Sequence, residues 1–169
     1  MRLSQLLDEK LIEADLKPPY IEEPEDNPYS PEKLLWIIKK NVLHRLVELL
    51  EKTGNVRNSK RLFIDIYNRE KRATTGIGNG IAFPHVRTIA VRDISFCFAR
   101  SLKGIDFGAI DGEPCHLFFT LVAPPYEEKV YLKYYRKLAS ILRYDTVVQG
   151  IMEAEGPGEI IREIKRAES

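Results

Sequence analysis

Between Asp93 and Pro124 the apolar residues stop recurring every three or four positions and crowd into two short runs, DISFCFAR and CHLFFTLVAPP. Rich in Phe, Val and Ile and bounded by turn residues, they read as β-strands joined by the turn-rich connector GIDFGAIDGEP. On both sides the helical period holds. Upstream, EKLLWIIKKNVLHRLVELLEKTG keeps a stripe through Leu35, Ile38, Val42, Leu46, Leu49 and Leu50. Ser30 serves as its cap, Pro31 as its first residue and Gly54 as its C-terminal turn. A second helix is expected from about Ser59 to Glu70 through Leu62, Phe63, Ile66 and Tyr67. Downstream, a helix from Glu127 to Tyr144 aligns Val130, Tyr134, Leu138, Ile141 and Leu142. Asp145 is expected to cap a short helix carrying Val147, Val148, Ile151 and Met152, and Gly156, Pro157 and Gly158 separate that from a last helix, EIIREIKRA. Strands in the middle of a chain flanked by amphipathic helices restrict the fold to a layered α/β class.

With 169 residues, 44% of them hydrophobic, the chain has the length for one domain with a sizeable core. Ahead of the first long helix, LIEADL reads as a short strand. It is followed by a segment, about 17–31, with prolines at 18, 19, 24, 28 and 31, too dense for a helix or a central strand. Charge excludes some functions: 26 basic against 25 acidic residues leave +1, so no global field draws the chain to nucleic acid or an anionic membrane. Cys97 and Cys115 lie in apolar runs without metal or redox spacing and read as buried thiols. No apolar signal core and no run of membrane-spanning length occurs, so a cytoplasmic protein without direct membrane insertion is expected.

The stretch TTGIGNGIAFPH, Thr74 to His85, is left unexplained by folding alone. Its glycines, Gly76, Gly78 and Gly80, miss the dinucleotide pattern GxGxxG because Ile81 stands where the last glycine is needed, and no lysine–hydroxyl pair follows to make a phosphate loop. Glycine permits left-handed backbone and close approach to exposed N–H groups, so Gly76, Gly78, Asn79 and Gly80 are candidates for an anion cradle. Pro84 keeps Phe83 extended and stiffens the approach to His85. An imidazole presented from a stiff stem, one nitrogen free and the other oriented, is a competent nucleophile toward phosphorus.

These residues resemble a known family. TTGIGNGIAFPH, preceded by Arg69–Glu70 and followed by KGIDFGAIDGEPCHLFFTLVAP, is similar to the enzyme IIA domain of the fructose–mannitol type in the bacterial phosphoenolpyruvate-dependent sugar phosphotransferase system, a group with stand-alone nitrogen-regulatory members. The resemblance is strong over about 62–124, fair through the C-terminal helices and weak before Val42. It implies a three-layer α/β/α sandwich around a small mixed sheet, with His85 at one sheet edge. It also implies that His85 is the phosphorylated residue, receiving its phosphoryl group from an HPr-type carrier and passing it to an enzyme IIB or holding it as a signal. Arg69, 16 positions upstream, matches the family's active-site arginine, whose planar guanidinium can bond two phosphoryl oxygens. Such transfer needs positioning and charge stabilisation, so no metal or cofactor is implied.

The chain departs from the family pattern at two places. Many members carry a second active-site histidine where VYLKYY here places Tyr131, which offers one phenolic hydrogen bond and no positive charge. The proline-rich segment looks like an insertion. Together they leave open a rival reading, a protein-binding regulator that keeps the fold without transferring phosphate. Arg87 reads as a surface arginine and His44 and His116 as structural, and Tyr126, Tyr131, Tyr134 and Tyr135 divide between core packing and a partner surface. No spacing makes a metal site with His85.

Overall fold

The structure is a computed structural model and describes residues 1–169. Its framework is a six-stranded mixed sheet. β1 (Ile12–Glu13), within the LIEADL run, pairs in parallel with β5 (Ser95–Ile105), and β5 pairs antiparallel with β6 (Cys115–Ala123). Beyond β6 lie β3 (Ile81–Ala82) and then β2 (Gly76–Gly78), while β4 (His85–Arg87) also pairs with β6. β5 and β6 are the long, buried strands that the two Phe-rich runs specify: Phe96, Phe98, Phe118 and Phe119 are fully buried.

Successive side chains on β5 point to opposite faces and find different helices there. Cys97 reaches the carbonyl of Leu46 in α1 (Pro31–Glu51), while Arg100 donates to carbonyls at the end of α4 (Asp145–Glu153). α1 and α2 (Ser59–Arg72) therefore form one outer layer, tied to each other by the edge-on contact of Trp36 with Tyr67 at 5.6 Å. α3 (Glu128–Leu142), α4 and α5 (Pro157–Glu168) form the other. This is the expected α/β/α sandwich.

Local chemistry explains most boundaries. Ser30 Oγ accepts from Lys33 N at 3.2 Å with Pro31 at the first position of α1, and Gly54 takes φ +77° just past its end. Asn58, one residue before the expected start of α2, is that helix's cap through Arg61 N. Asp145 is not the cap of α4 as anticipated. It sits inside the first turn, where its charge suits the helix dipole, and its Oδ1 accepts from Asn79 Nδ2 at 3.3 Å. Residues 17–30 carry no helix or strand, and Lys17 and Pro19 line one groove together with Asn41, Val42 and Arg45 of α1.

Candidate functional site

β3 and β4 run along the same side of β6, in one line interrupted at Phe83–Pro84: Ile81 is level with Leu117 and His85 with Leu121. Proline has no N–H to give a ladder, so the pairing breaks there, while the Pro84 carbonyl still accepts from Leu121 N at 3.2 Å. Because β6 has β5 on its other side, β4 is a sheet edge, and His85 sits where the two helical layers meet that edge.

The loop before it is shaped by three consecutive left-handed residues, Gly78, Asn79 and Gly80, at φ +95°, +56° and +75°. Gly76 answers a different need. A Cβ there would lie 2.8 Å from Ala109 Cα, and the Gly76 carbonyl accepts from Ile110 N across this close approach. Among the candidate cradle residues, Gly76 N donates to Thr74 Oγ1 at 3.1 Å and Asn79 N to Asp111 Oδ2 at 3.0 Å, so these amides are engaged within the chain.

His85 is half-buried, and its Nδ1 lies 2.7 Å from the Phe83 carbonyl. A carbonyl only accepts, so Nδ1 carries the proton and Nε2 keeps its lone pair. Aromatic rings wall the imidazole. Phe83 stacks on it at 4.9 Å between centroids, Tyr135 meets it edge-on at 5.2 Å and Tyr131 lies at 6.4 Å. Burial pushes the His85 pKa below its ordinary 6.5; the Phe83 hydrogen bond pulls it up, Arg69 pushes it down and Glu70 pulls it up, with burial prevailing. The ring is therefore neutral at pH 7.

Arg69 stands in the last turn of α2, its Nη1 donating to the Ala73 carbonyl at 2.9 Å, close enough for its charge to be felt at His85. Tyr131 lies in the first turns of α3, and burial raises its phenol well above the usual range against the pull of Arg87 and Arg69. It is a neutral donor, flanked by two guanidinium groups. Arg87, exposed two residues beyond His85, pairs with Glu128 at 3.3 Å.

The remaining candidates lie elsewhere. His44 stacks on Phe63 at 3.7 Å and His116 Nδ1 engages the Ser101 carbonyl at 2.8 Å. No group of three or more His, Cys, Asp or Glu side chains is arranged to hold a metal. Cys97 and Cys115 are buried, and burial pushes both thiols up to about 12. Tyr134 is buried and Tyr135 half-buried, while Tyr126 is exposed and donates to the Arg92 carbonyl at 3.2 Å.

Three residues behind the site were not singled out by sequence reasoning as parts of it: Lys39, Glu70 and Thr75. One signal was available, since positions 35, 39, 42 and 46 make an unbroken helical stripe in which Lys39 is the polar intruder.

The family model of the phosphoenolpyruvate-dependent sugar phosphotransferase system, EIIA 2, matches residues 37–167. The chain belongs to this EIIA 2 family. It is 34% identical over 123 residues to the fructose-specific EIIABC component of Bacillus subtilis, a match covering 73% of this chain and 19% of that much longer protein. It is 35% identical over 117 residues to the nitrogen regulatory protein of Bradyrhizobium diazoefficiens, covering 68% of this chain and 76% of the relative. The nitrogen regulatory protein IIA-Ntr of Neisseria meningitidis superposes with a TM-score of 0.78 at 23% identity, over 96% of this chain and 98% of that one, and so shares the fold. The family assignment and the α/β architecture thus agree with the resemblance seen in the glycine–proline–histidine stretch. No helix is long and apolar enough to cross a membrane.

Proposed function

We propose that the chain is a phosphohistidine carrier of the phosphotransferase system, with His85 Nε2 as the acceptor atom. The observation that carries this reading is the 2.7 Å contact between His85 Nδ1 and the Phe83 carbonyl, which commits one nitrogen to the protein and leaves the other as a nucleophile. The Nε2 lone pair attacks phosphorus, the bond from phosphorus to the carrier breaks, and its electron pair leaves with the carrier. The ring then holds a phosphoryl group on Nε2 and its proton on Nδ1, where the Phe83 carbonyl accepts it. Arg69 offsets the phosphoryl charge with paired N–H donors, and Tyr131 adds one neutral hydrogen bond where many members supply a histidine. Of the loop residues, Gly78, Asn79 and Gly80 make the left-handed turn that leads into β3, and Gly76 packs against Ala109, so their part is to shape the segment that leads to His85.

The donor is an HPr-type phosphocarrier protein and the acceptor an enzyme IIB or a regulatory target. Relatives of near-equal identity carry fructose-transport and nitrogen-regulatory names, so both outlets remain within this reading. A regulator that never takes phosphate is not favoured, because it has no need of a neutral imidazole with an oriented nitrogen.

The test is incubation with phosphoenolpyruvate, enzyme I and an HPr-type carrier, followed by intact-mass measurement. One acid-labile phosphoryl group is expected, on Nε2, and absent from a folded His85→Ala variant. Undiminished labelling of His85→Ala, or no labelling of the native chain by any carrier tried, overturns the assignment.

A further inference from the structure

Behind the site, a polar chain runs through the core. Lys39 of α1, Glu70 of α2 and Thr75 at the start of the glycine loop are each only 2–3% exposed. Lys39 Nζ donates to Glu70 Oε1 at 2.8 Å. The same carboxylate accepts from Thr75 N at 3.0 Å and from Thr75 Oγ1 at 2.5 Å. The Thr75 carbonyl then accepts from Phe83 N at 2.8 Å, and the Phe83 carbonyl accepts from His85 Nδ1 at 2.7 Å. Five residues are joined from the middle of α1 to the imidazole: Lys39 on α1, Glu70 on α2, Thr75 just before β2, Phe83 just after β3 and His85 on β4.

Burying an ammonium and a carboxylate costs desolvation that an apolar pair of similar volume would avoid, so burial of the pair is weak evidence for a role in stability alone. What the pair does geometrically is specific. Lys39 is enclosed by the rings of Trp36 and Phe107, at 4.9 and 5.0 Å, and is held against Gly108. It leaves the Glu70 carboxylate no freedom to turn, and the carboxylate in turn fixes both the amide and the hydroxyl of Thr75. Thr75 then sets the height of Phe83, whose carbonyl decides which ring nitrogen of His85 bears the proton.

We propose that Lys39, Glu70 and Thr75 form a positioning relay that fixes the ring orientation and the Nδ1–H tautomer of His85, keeping Nε2 aimed at the incoming phosphoryl group. None of the three touches phosphate; they act through Phe83. The effect on transfer rests on the reading of His85 as phosphoryl acceptor, whereas the effect on the ring is independent of it. The charged groups acting on His85 are Arg69 and Glu70 from α2; Tyr131 and Tyr135 from α3 lie beside its ring, and Arg87, two residues on in its own strand, is paired with Glu128. The relay supplies the one carboxylate among them whose charge is felt at His85.

The test compares native protein with Thr75→Val, Thr75→Ser and the charge-neutral pair Lys39→Met with Glu70→Gln, the last included in case Thr75→Val does not fold. Imidazole nitrogen NMR reads the tautomer and titration of His85, and carrier-dependent phosphorylation reads transfer. In folded Thr75→Val and in the double variant, the Nδ1–H tautomer should lose its dominance and the His85 midpoint should move further down. Labelling should slow about ten-fold or more, the scale of small misplacements at a reacting centre, and Thr75→Ser, which keeps the hydroxyl, should retain the native tautomer, midpoint and labelling rate. An unchanged tautomer, midpoint and labelling rate in either folded variant overturns the relay. A native chain that shows the fixed tautomer but takes no phosphate refutes the acceptor reading and leaves the relay's effect on the ring to be decided by the same spectra.

Discussion

At position 85 the two protonation states of one imidazole are not equivalent: the neutral ring has a lone pair for phosphorus, and the cation has none. Burial among Phe83, Tyr131 and Tyr135 makes the protein favour the neutral ring, with a pKa below the 6.5 of the unfolded chain. Above pH 6.5 both states of the chain hold a neutral ring and the group is indifferent to folding. As pH falls below 6.5 the unfolded chain takes up the proton first, so the folded protein loses stability progressively until the folded-state pKa is passed. Urea unfolding of native protein and His85→Gln between pH 7.5 and about 5 should therefore diverge. The native chain should lose the larger increment on acidification, and parallel curves would contradict the burial argument. The aromatic residues also explain a limit of sequence reading. Phe83 and Tyr135 are ordinary apolar and interfacial residues until the fold packs them against each other and against one imidazole.

The glycine loop shows how an element's residues divide their work. Gly78, Asn79 and Gly80 are needed for left-handed backbone, a property legible from residue type, since glycine and asparagine tolerate it best. Gly76 has no positive φ; its requirement is space, because the connector before β6 brings Ala109 against it. Nothing in the local sequence reveals that approach. Gly76→Ala would place its Cβ 2.8 Å from Ala109 Cα and 2.9 Å from Ala109 Cβ, forcing the loop and connector apart. A cost of roughly 1–3 kcal/mol is expected from such overpacking, measured by denaturant unfolding, together with slower labelling of His85 because the loop carries its stem. A variant with native stability and rate would show that the two segments separate freely. The short helix α4 makes a related point, since Asp145 looks like a cap and instead occupies the first turn, where it receives the Asn79 side chain.

Across the molecule, the ends of the chain close over the sheet. Leu3, Leu7, Leu11, Ile12 and Leu16 are buried, and Glu168 at the end of α5 accepts from Leu3 N and Ser4 N at 2.6 and 3.0 Å. Arg100, 3% exposed in β5, gathers this region. It donates to the Ala14 carbonyl beyond β1 at 2.8 Å and to Ile151, Met152 and Ala154 carbonyls at 2.9, 3.3 and 2.5 Å. Those last carbonyls belong to the unsatisfied end of α4, so the guanidinium caps a helix from across the sheet. Burial lowers its pKa from the ordinary range, with Asp15 opposing. Arg100→Met should strand several buried carbonyls and cost roughly 2–5 kcal/mol. Hydrogen exchange should rise in α4, α5 and the first sixteen residues, and uniform exchange would place the effect elsewhere.

Read alone, the sequence did not mark β2, β3 and β4, the three short strands within and after the glycine stretch. It determined the order of the helices and of the two long strands, the helix start at Ser30 and Pro31, the resemblance carried by the stretch ending at His85 and the placement of Arg69 in the last turn of a helix. These are legible because hydrophobic period, capping and backbone permissiveness act between residues a few positions apart. The sheet order, the aromatic walls of His85, the Gly76–Ala109 contact and the span from Lys39 to Thr75 were decided only in three dimensions. Each joins groups separated by tens of positions, and whether a lysine on a helical stripe meets solvent or a carboxylate depends on what the rest of the chain packs against it.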